Sequence, residues 1–561
     1  MHSVFRFLHS SFGAVLLAAV VALSTPPTAV GSEESAAENT PRLHELARPR
    51  VAIPGAPKAA DVCMRSLRPR PINDRDPRNT LDAMRGFHVT WLEWTYGNNA
   101  AFIGKVHELG ATYGAAAAAG SYLGDVPVEQ WNVVDLDGNR LVATWMRQWP
   151  RPNPWGCANH PEFRAGHVRA VIAAIEAGAD VLQRDEPAQN QTALRWGGCF
   201  CDHCMAAFPE WLRRHADPAV LKRLGAADLD EFNYRDYLRA KNAPVGDAFH
   251  RWAGDELKQY FQQFQFDSTV AFNAWWREQL DRHAGRRVPV SCNNGVRSWT
   301  EIQLGFDYCI GELSAAHARP DYLYAAMRQA ASFGKRQSVT MPLRRDPEET
   351  PDWIRHTRQT IATVYAVGGH IEMPWDTYLP TPDARRYFGN PADYADLTAF
   401  VRGMAVYLES YEDSFALGKD IDDDRYAPEA APVVLKAETD QVFAFVRAKP
   451  GQAGAPVVIH LLDWREQPQP LSVTVEPRAF FGTLPLRFRL FTPVLPHDQA
   501  AHDRAFNSKD YSELVRETEL ARSIVNTVDL PALRPWGMLI VEPDAAIPVD
   551  AQVPETKLPP R

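Results

Sequence analysis

A chain of 561 residues, 45% hydrophobic and 23% charged, is too long for one ordinary domain and too evenly balanced to be disordered or fibrous. With 60 Lys and Arg against 69 Asp and Glu, its formal charge of −9 disfavours polyanions, and nucleic acid drops out as the main partner. The 16 Trp exceed what filling a core of this size requires.

Residues 1–31 read as a signal peptide. Arg6 gives the positive start, 13–23 an apolar run, and 28–31 the small residues of a cleavage site. The run is shorter than the roughly 20 apolar residues that span a bilayer. A secreted or periplasmic chain with no membrane span after cleavage is expected, a retained N-terminal anchor being the other reading. Residues 32–78, rich in Ala, Pro, Glu and Arg without apolar periodicity, read as a linker or mobile arm.

Between 79 and 420, short β-like runs alternate with helical stretches. The runs cover 86–91, 111–117, 131–134, 181–183, 288–291, 306–310, 337–341 and 369–373, and eight of them fit a closed (β/α)8 TIM barrel. The helix before the fourth run is the clearest element. Pro161 suits its first position behind Asn159 or His160, and Val168, Val171, Ile172 and Ile175 recur at helical spacing before Gly178 stops it. Asp185 and Glu186 follow strand four directly, and active sites of this fold lie at the C-terminal ends of strands.

From 425 to 545 the runs 432–435, 442–445, 457–462, 471–475, 486–491 and 537–541 are separated by turns rather than helices. They predict a C-terminal antiparallel β-sandwich, with a mobile tail at 546–561.

Cys157, Cys199, Cys201 and Cys204 form a group in which C-x-C-x2-C thiolates, completed by Cys157, can converge on one metal ion. One or two disulfides are the alternative in an exported chain, and His203 is a substitute ligand. Cys63, Cys292 and Cys309 read as unpaired or buried.

Alternating β/α units, a carboxylate ending strand four, and C-x-C-x2-C with Cys157 upstream resemble the family 42 glycoside hydrolases, although the specific match covers only residues 157–204. The resemblance implies a retaining barrel glycosidase with a C-terminal β domain, Glu186 as general acid/base, and a structural zinc on Cys157, Cys199, Cys201 and Cys204. No organic cofactor is implied. The sequence departs from that family at strand seven, where 337–342 offers no carboxylate for a nucleophile. Glu312, ending strand six, is the first choice for the second carboxylate, with Glu372 and Asp376 on strand eight as others.

Glycosidic cleavage needs one protonated carboxyl for the leaving oxygen and one ionised carboxylate opposite it. Asp185 beside Glu186 is a means of keeping the latter protonated, since like charges raise a pKa; a salt-bridged strand end with Arg184 is the plainer reading. If strands one and eight are neighbours, Trp91, Glu93 and Trp94 approach Trp375 and Asp376, and form a sugar-binding wall in which Trp375 covers the ring while Glu93, Glu372 and Asp376 accept hydroxyl protons. Asn293 and Asn294, ending strand five, are further hydroxyl ligands or loop braces. The partner expected is a carbohydrate. Two other readings are a carbohydrate-binding pseudoenzyme lacking its nucleophile and a metal-dependent hydrolase built near His317 and His370.

Overall fold

The computed structural model describes residues 40–71, 79–120, 127–147, 152–341, 350–376, 390–437, 439–520 and 526–544. The segment 1–31 read as a signal peptide, the start of the expected arm and the expected tail at 546–561 lie outside them.

Eight parallel strands close into a barrel: β1 (Cys63–Ser66), β2 (Trp91–Thr95), β3 (Thr112–Ala117), β4 (Val181–Arg184), β5 (Val290–Gly295), β6 (Tyr308–Glu312), β7 (Gln337–Thr340) and β8 (His370–Asp376). Strand β8 pairs back onto β1. Successive side chains point to opposite faces. Leu92, Tyr113, Leu182, Cys292, Val339, Ile371 and Met373 therefore pack among the helices, while Cys63, Trp91, Val181, Tyr308 and Ile310 form a separate interior cluster.

Two expectations about this barrel fail, and they offset one another. Strand β1 lies within the segment read as a linker, because its four residues include Arg65 and carry no alternation; the closed barrel buries all four. Conversely, 131–134 contributes no barrel strand. It leaves a short helical turn at Val128–Trp131 and makes only the isolated bridges Asn132–Gly156 and Val134–Arg140. The first expected run, 86–91, is mostly the end of a helix (Thr80–Gly86) and a loop, so Trp91 opens β2 rather than closing β1. One strand missed and one added leave β4 to β8 with their expected ranks.

The helix Pro161–Glu176 follows the expected pattern, with His160 capping it and Val168, Val171 and Ala174 buried; Ile172 and Ile175 are only half-buried. The connections after β3 and β4 are long and share a second core made of Val133, Trp155, Cys157, Trp196, Phe200, Phe208 and Phe261. This lobe rises from the C-terminal ends of β3 and β4, the side of the barrel where Glu186 lies.

Beyond the barrel come β9 (Glu412–Leu417), β10 (Val433–Lys436), β11 (Val442–Ala448), β12 (Val457–Asp463), β13 (Leu471–Val475), β14 (Leu486–Pro493), β15 (Val515–Glu519), β16 (Thr527–Leu530) and β17 (Trp536–Pro543). They form an antiparallel sheet in the order β15-β14-β17-β12-β11-β9 and a smaller one in the order β10-β13-β16. Val433, Val473 and Val528 of the small sheet share a core with Val446, Ile459, Leu490 and Leu539 of the large one, the packing expected of a sandwich. The sandwich begins at β9, earlier than 425, and its core also takes in Leu43 and Ala47 from the arm. Among the described residues no helix is long and apolar enough to cross a membrane.

Candidate active site

The turn after β4 is held by Arg184. Its guanidinium, buried beneath the turn, donates to the carbonyls of Ala117 (3.3 Å) and Asp185 (3.1 Å) and to the side chain of Gln189. Glu186 follows with φ of 54°, a left-handed conformation that side chains other than Gly, Asn and Asp adopt rarely. Such positions persist where the surroundings enforce them, and they cluster at functional sites.

Glu186 is half-buried, and its carboxyl is pushed up to about 8. Burial is the largest cause, followed by the charges of Asp185 and Glu312, with Arg184 and Arg195 opposing. Asp185 is fixed by two donors, the Tyr96 hydroxyl and the Asn293 amide, the latter at 3.0 Å. Glu312 ends β6, exposed at the opening, and acts on Glu186 through its charge. The barrel mouth thus gathers Asp185, Glu186, Asn293 and Glu312 from the expected set. Tyr96 and Arg195 are further neighbours of Asp185 and Glu186 that the sequence reading missed. Tyr96 carries a signal in hindsight, as a polar aromatic one residue past the end of β2.

The remaining expected residues lie elsewhere. Glu93 is fully buried below the mouth, where it accepts from Trp91 Nε1 (2.8 Å), the Tyr308 hydroxyl (2.8 Å) and the Ser291 hydroxyl. Burial pushes it up to about 7 against those donors. Room for it comes from Gly114, where a Cβ would stand 2.8 Å from Glu93 Cγ. Glu372 is likewise enclosed and takes no N–H or O–H donor; its polar neighbours are the Cys63 thiol and Arg65. Burial, then the charge of Glu93, holds it well above the usual carboxylate range.

The aromatic wall is not assembled, because β1 separates β2 from β8. Trp94 is buried with the Arg65 guanidinium 3.5 Å above its ring. Trp375 is 4% exposed and packs in the helix-facing core, edge-on to Phe87 at 6.4 Å. Asn294 turns away from Asn293 and exchanges hydrogen bonds of 3.1 and 3.0 Å with the Gln337 amide. The side chain of Asp376 lies outside the described residues. His370 is buried 2.6 Å from the Lys58 carbonyl, while His317 is exposed and stacks on Tyr322 at 4.2 Å, so no histidine metal centre forms from this pair.

The four cysteines of the lobe do come together, with all ligand atoms within 4.8 Å of one another. Cys157 Sγ lies 3.4 Å from that of Cys204 and 3.6 Å from that of Cys201. A disulfide would need about 2.0 Å. Tetrahedral ligation with Zn–S bonds of about 2.3 Å needs sulfurs about 3.8 Å apart. The cluster fits the second arrangement. Amide donors face the sulfurs: Asn159 reaches Cys204 (3.3 Å), and Asn190 reaches Cys157 (3.4 Å). Asn190 belongs to the turn that follows Glu186, so the cluster ties Cys157, from the β3 connection, to the segment carrying the candidate acid.

No family model matches the sequence. Among curated proteins, the chain is 23% identical over 304 residues to an α-agarase of Alteromonas agarilytica, which is 50% of this chain and 21% of that protein. An α-agarase of Thalassotalea agarivorans is 23% identical over 283 residues, 46% of this chain and 19% of that protein. The matches span about a fifth of these relatives. Among solved structures, a noncanonic maltogenic α-amylase from Thermotoga neapolitana superposes with a TM-score of 0.44 at 9% identity, covering 86% of this chain and 99% of that one. A GH27 β-L-arabinopyranosidase from Geobacillus stearothermophilus gives 0.41 at 7% identity, covering 87% and 98%. Each name is that of a glycoside-cleaving enzyme, and the sequence relatives carry the agarase name rather than that of family 42.

Proposed function

We propose that this chain is a glycoside hydrolase that cleaves a polysaccharide at the mouth of its barrel. Glu186 donates its proton to the glycosidic oxygen as the bond to the anomeric carbon breaks. Glu312, exposed at the end of β6, either attacks that carbon or activates the water that does. Asp185, oriented by Tyr96 and Asn293, contributes the like charge that keeps Glu186 protonated near neutral pH. The reading rests above all on Glu186, which stands in a left-handed backbone just past β4 with its carboxyl pushed up to about 8 by burial and by the charges of Asp185 and Glu312. Agarose is the first substrate to test, given the agarase relatives, with β-galactosides second, given the family 42 resemblance. Residues 1–31 direct export in this reading, and the mature chain is secreted or periplasmic.

Cys157, Cys199, Cys201 and Cys204 hold a structural zinc that braces the lobe. With all four ligand places filled by sulfur, such an ion supplies cross-linking and no reacting position.

A glycan-binding protein without turnover is the second reading, favoured by the absence of a carboxylate on β7. The experiment is reducing-end release from agarose. Glu186→Gln should lower kcat by about 10²–10⁴-fold with the circular-dichroism spectrum unchanged. Glycan binding by a wild-type chain that releases no product would select the second reading, and full activity in Glu186→Gln would remove Glu186 from the mechanism.

A further inference from the structure

A cleft of about 340 Å³ opens where the barrel meets the sandwich. Arg297, just past the end of β5, lines it together with Arg319, Asp321 and Arg328 from the start and middle of the helix Pro320–Ser332. Asp420 and Asp422, in the connection that leaves β9, line it from the sandwich. The lining shares no residue with the set Asp185, Glu186, Asn293 and Glu312. Two contacts tie the helix to the β9 connection. The buried Tyr324 hydroxyl donates to the Asp423 carboxylate at 3.1 Å, and Arg328 donates to the Asp422 carbonyl at 3.2 Å. A third, from the Tyr322 hydroxyl to the Val296 carbonyl at 3.0 Å, holds the Arg297 turn against the helix.

The charges around this space do not close on one another. Arg319 pairs with Asp321 at 3.1 Å. Among the described residues no ion pair joins Arg297, Asp420 or Asp422 to an opposite charge, although all three line one cleft and all three are exposed. Arg297, at φ of 68°, and Asp420, at φ of 59°, both stand in the left-handed region, and such positions persist where the surroundings enforce them. The composition selects the ligand. An anion would face the aspartates and a cation the arginines. A neutral polyol meets both as partners, since its hydroxyls donate to carboxylates and accept from guanidinium groups. The volume falls at the small end of the range of about 300–1,000 Å³ found for ligand pockets.

We propose that this cleft is a second carbohydrate site, in which Arg297, Asp420 and Asp422 hold the hydroxyls of a neutral glycan segment. It binds glycan whether or not the barrel mouth turns it over, and only the choice of agarose as the probe rests on the hydrolase reading. Hydrogen bonds to charged groups carry the affinity, and removing two of the three heads should weaken binding here by about 10-fold or more.

The test is calorimetric titration of the full chain with a neutral agarose hexasaccharide and with a sulfated galactan hexasaccharide, in the Glu186→Gln background so that nothing is consumed. The variant combines Arg297→Gly, which suits the left-handed backbone, with Asp422→Ala, which keeps the carbonyl that Arg328 holds. It should keep the far-ultraviolet spectrum, weaken one class of hexasaccharide site by about 10-fold or more, and leave the site at the mouth unchanged. Equal hexasaccharide binding by the folded variant and its parent, no binding by either, or tighter binding of the sulfated sugar than of the neutral one overturns the proposal. Binding that depends on Arg297 and Asp422 in a wild-type chain that releases no product would keep the cleft and reject the hydrolase reading. Product release from agarose with hexasaccharide binding alike in parent and variant would do the reverse.

Discussion

Proton donation near neutral pH requires a carboxyl that resists ionisation, and Glu186 obtains this from burial first and from Asp185 and Glu312 next. In the proposed mechanism its protonated form is the active one, so kcat/KM should hold at lower pH and fall as pH rises through about 8. Asp185→Asn removes a like charge while its Oδ1 still accepts from Asn293 and its amide N–H donates to the Tyr96 hydroxyl, which turns to accept. The alkaline limb should then move to lower pH, and an unmoved limb in a pH–rate profile would show that Asp185 does not tune the acid. Residues at strand ends, such as Asp185 and Glu186 directly after β4 and Asn293 in the last half of β5, were legible because the fold puts every strand end on one rim. Trp375 fell on the helix-facing side because a shift of one residue sends a strand side chain to the other face, while Asn294 took the bracing one of its two readings, through Ser298 and Gln337. At the end of β2, Trp94 has φ of 51° and the register with β3 slips between Leu92 and Thr95, so alternation could not locate Tyr96.

Among the elements, legibility followed the strength of the local pattern. The helix Pro161–Glu176 has a cap, a first-turn proline and an apolar stripe, and it was readable to its ends. Strand β1 has four residues with a buried Arg, and only the closure of the barrel makes it a strand. The lobe was legible through its cysteines alone, since spacing can predict convergence of sulfurs but not which loops they tie. Here the tie runs from Cys157 through Asn190 to the Glu186 turn, which makes Asn190 a support of the cluster rather than a ligand. Loss of an outer support of this kind costs about 10–100-fold in metal affinity. Purified protein is expected to carry one zinc per chain, and Asn190→Ala should release it to a chromophoric chelator at correspondingly lower chelator concentration. Protein without zinc, or an Asn190→Ala variant that holds zinc as tightly as wild type, would reject the braced site.

Barrel and sandwich are joined by contacts between residues too far apart in sequence for any local pattern to foretell. Arg50 links the Glu412 carboxylate on β9 (2.9 Å) to the Gly368 carbonyl ahead of β8 (2.9 Å), and Leu43 fills the sandwich core from the same arm. On another side, His88, just before β2, meets His502 of the helix Gln499–Ser508 at 2.7 Å, and His497 stacks on His502 at 4.3 Å. Lys509 and Arg402 add positive charge around His88, while Asp396, Asp498 and Asp503 face His502. Burial, then the neighbouring histidines and cations, lowers the His88 pKa from 6.5 to about 3. An unfolded chain therefore binds a proton here that the folded chain refuses. The contribution is complete above the unfolded value, and it is lost progressively as pH falls towards the folded one. Two pH units below the unfolded value, the loss is about 3 kcal/mol. His88→Asn removes the titrating ring, and Asn tolerates the left-handed backbone that His88 adopts at φ of 55°. Thermal unfolding followed between pH 7 and pH 4.5 should show the wild-type Tm dropping more steeply than that of His88→Asn. Parallel slopes would mean that this histidine junction does not set the acid limit of the molecule.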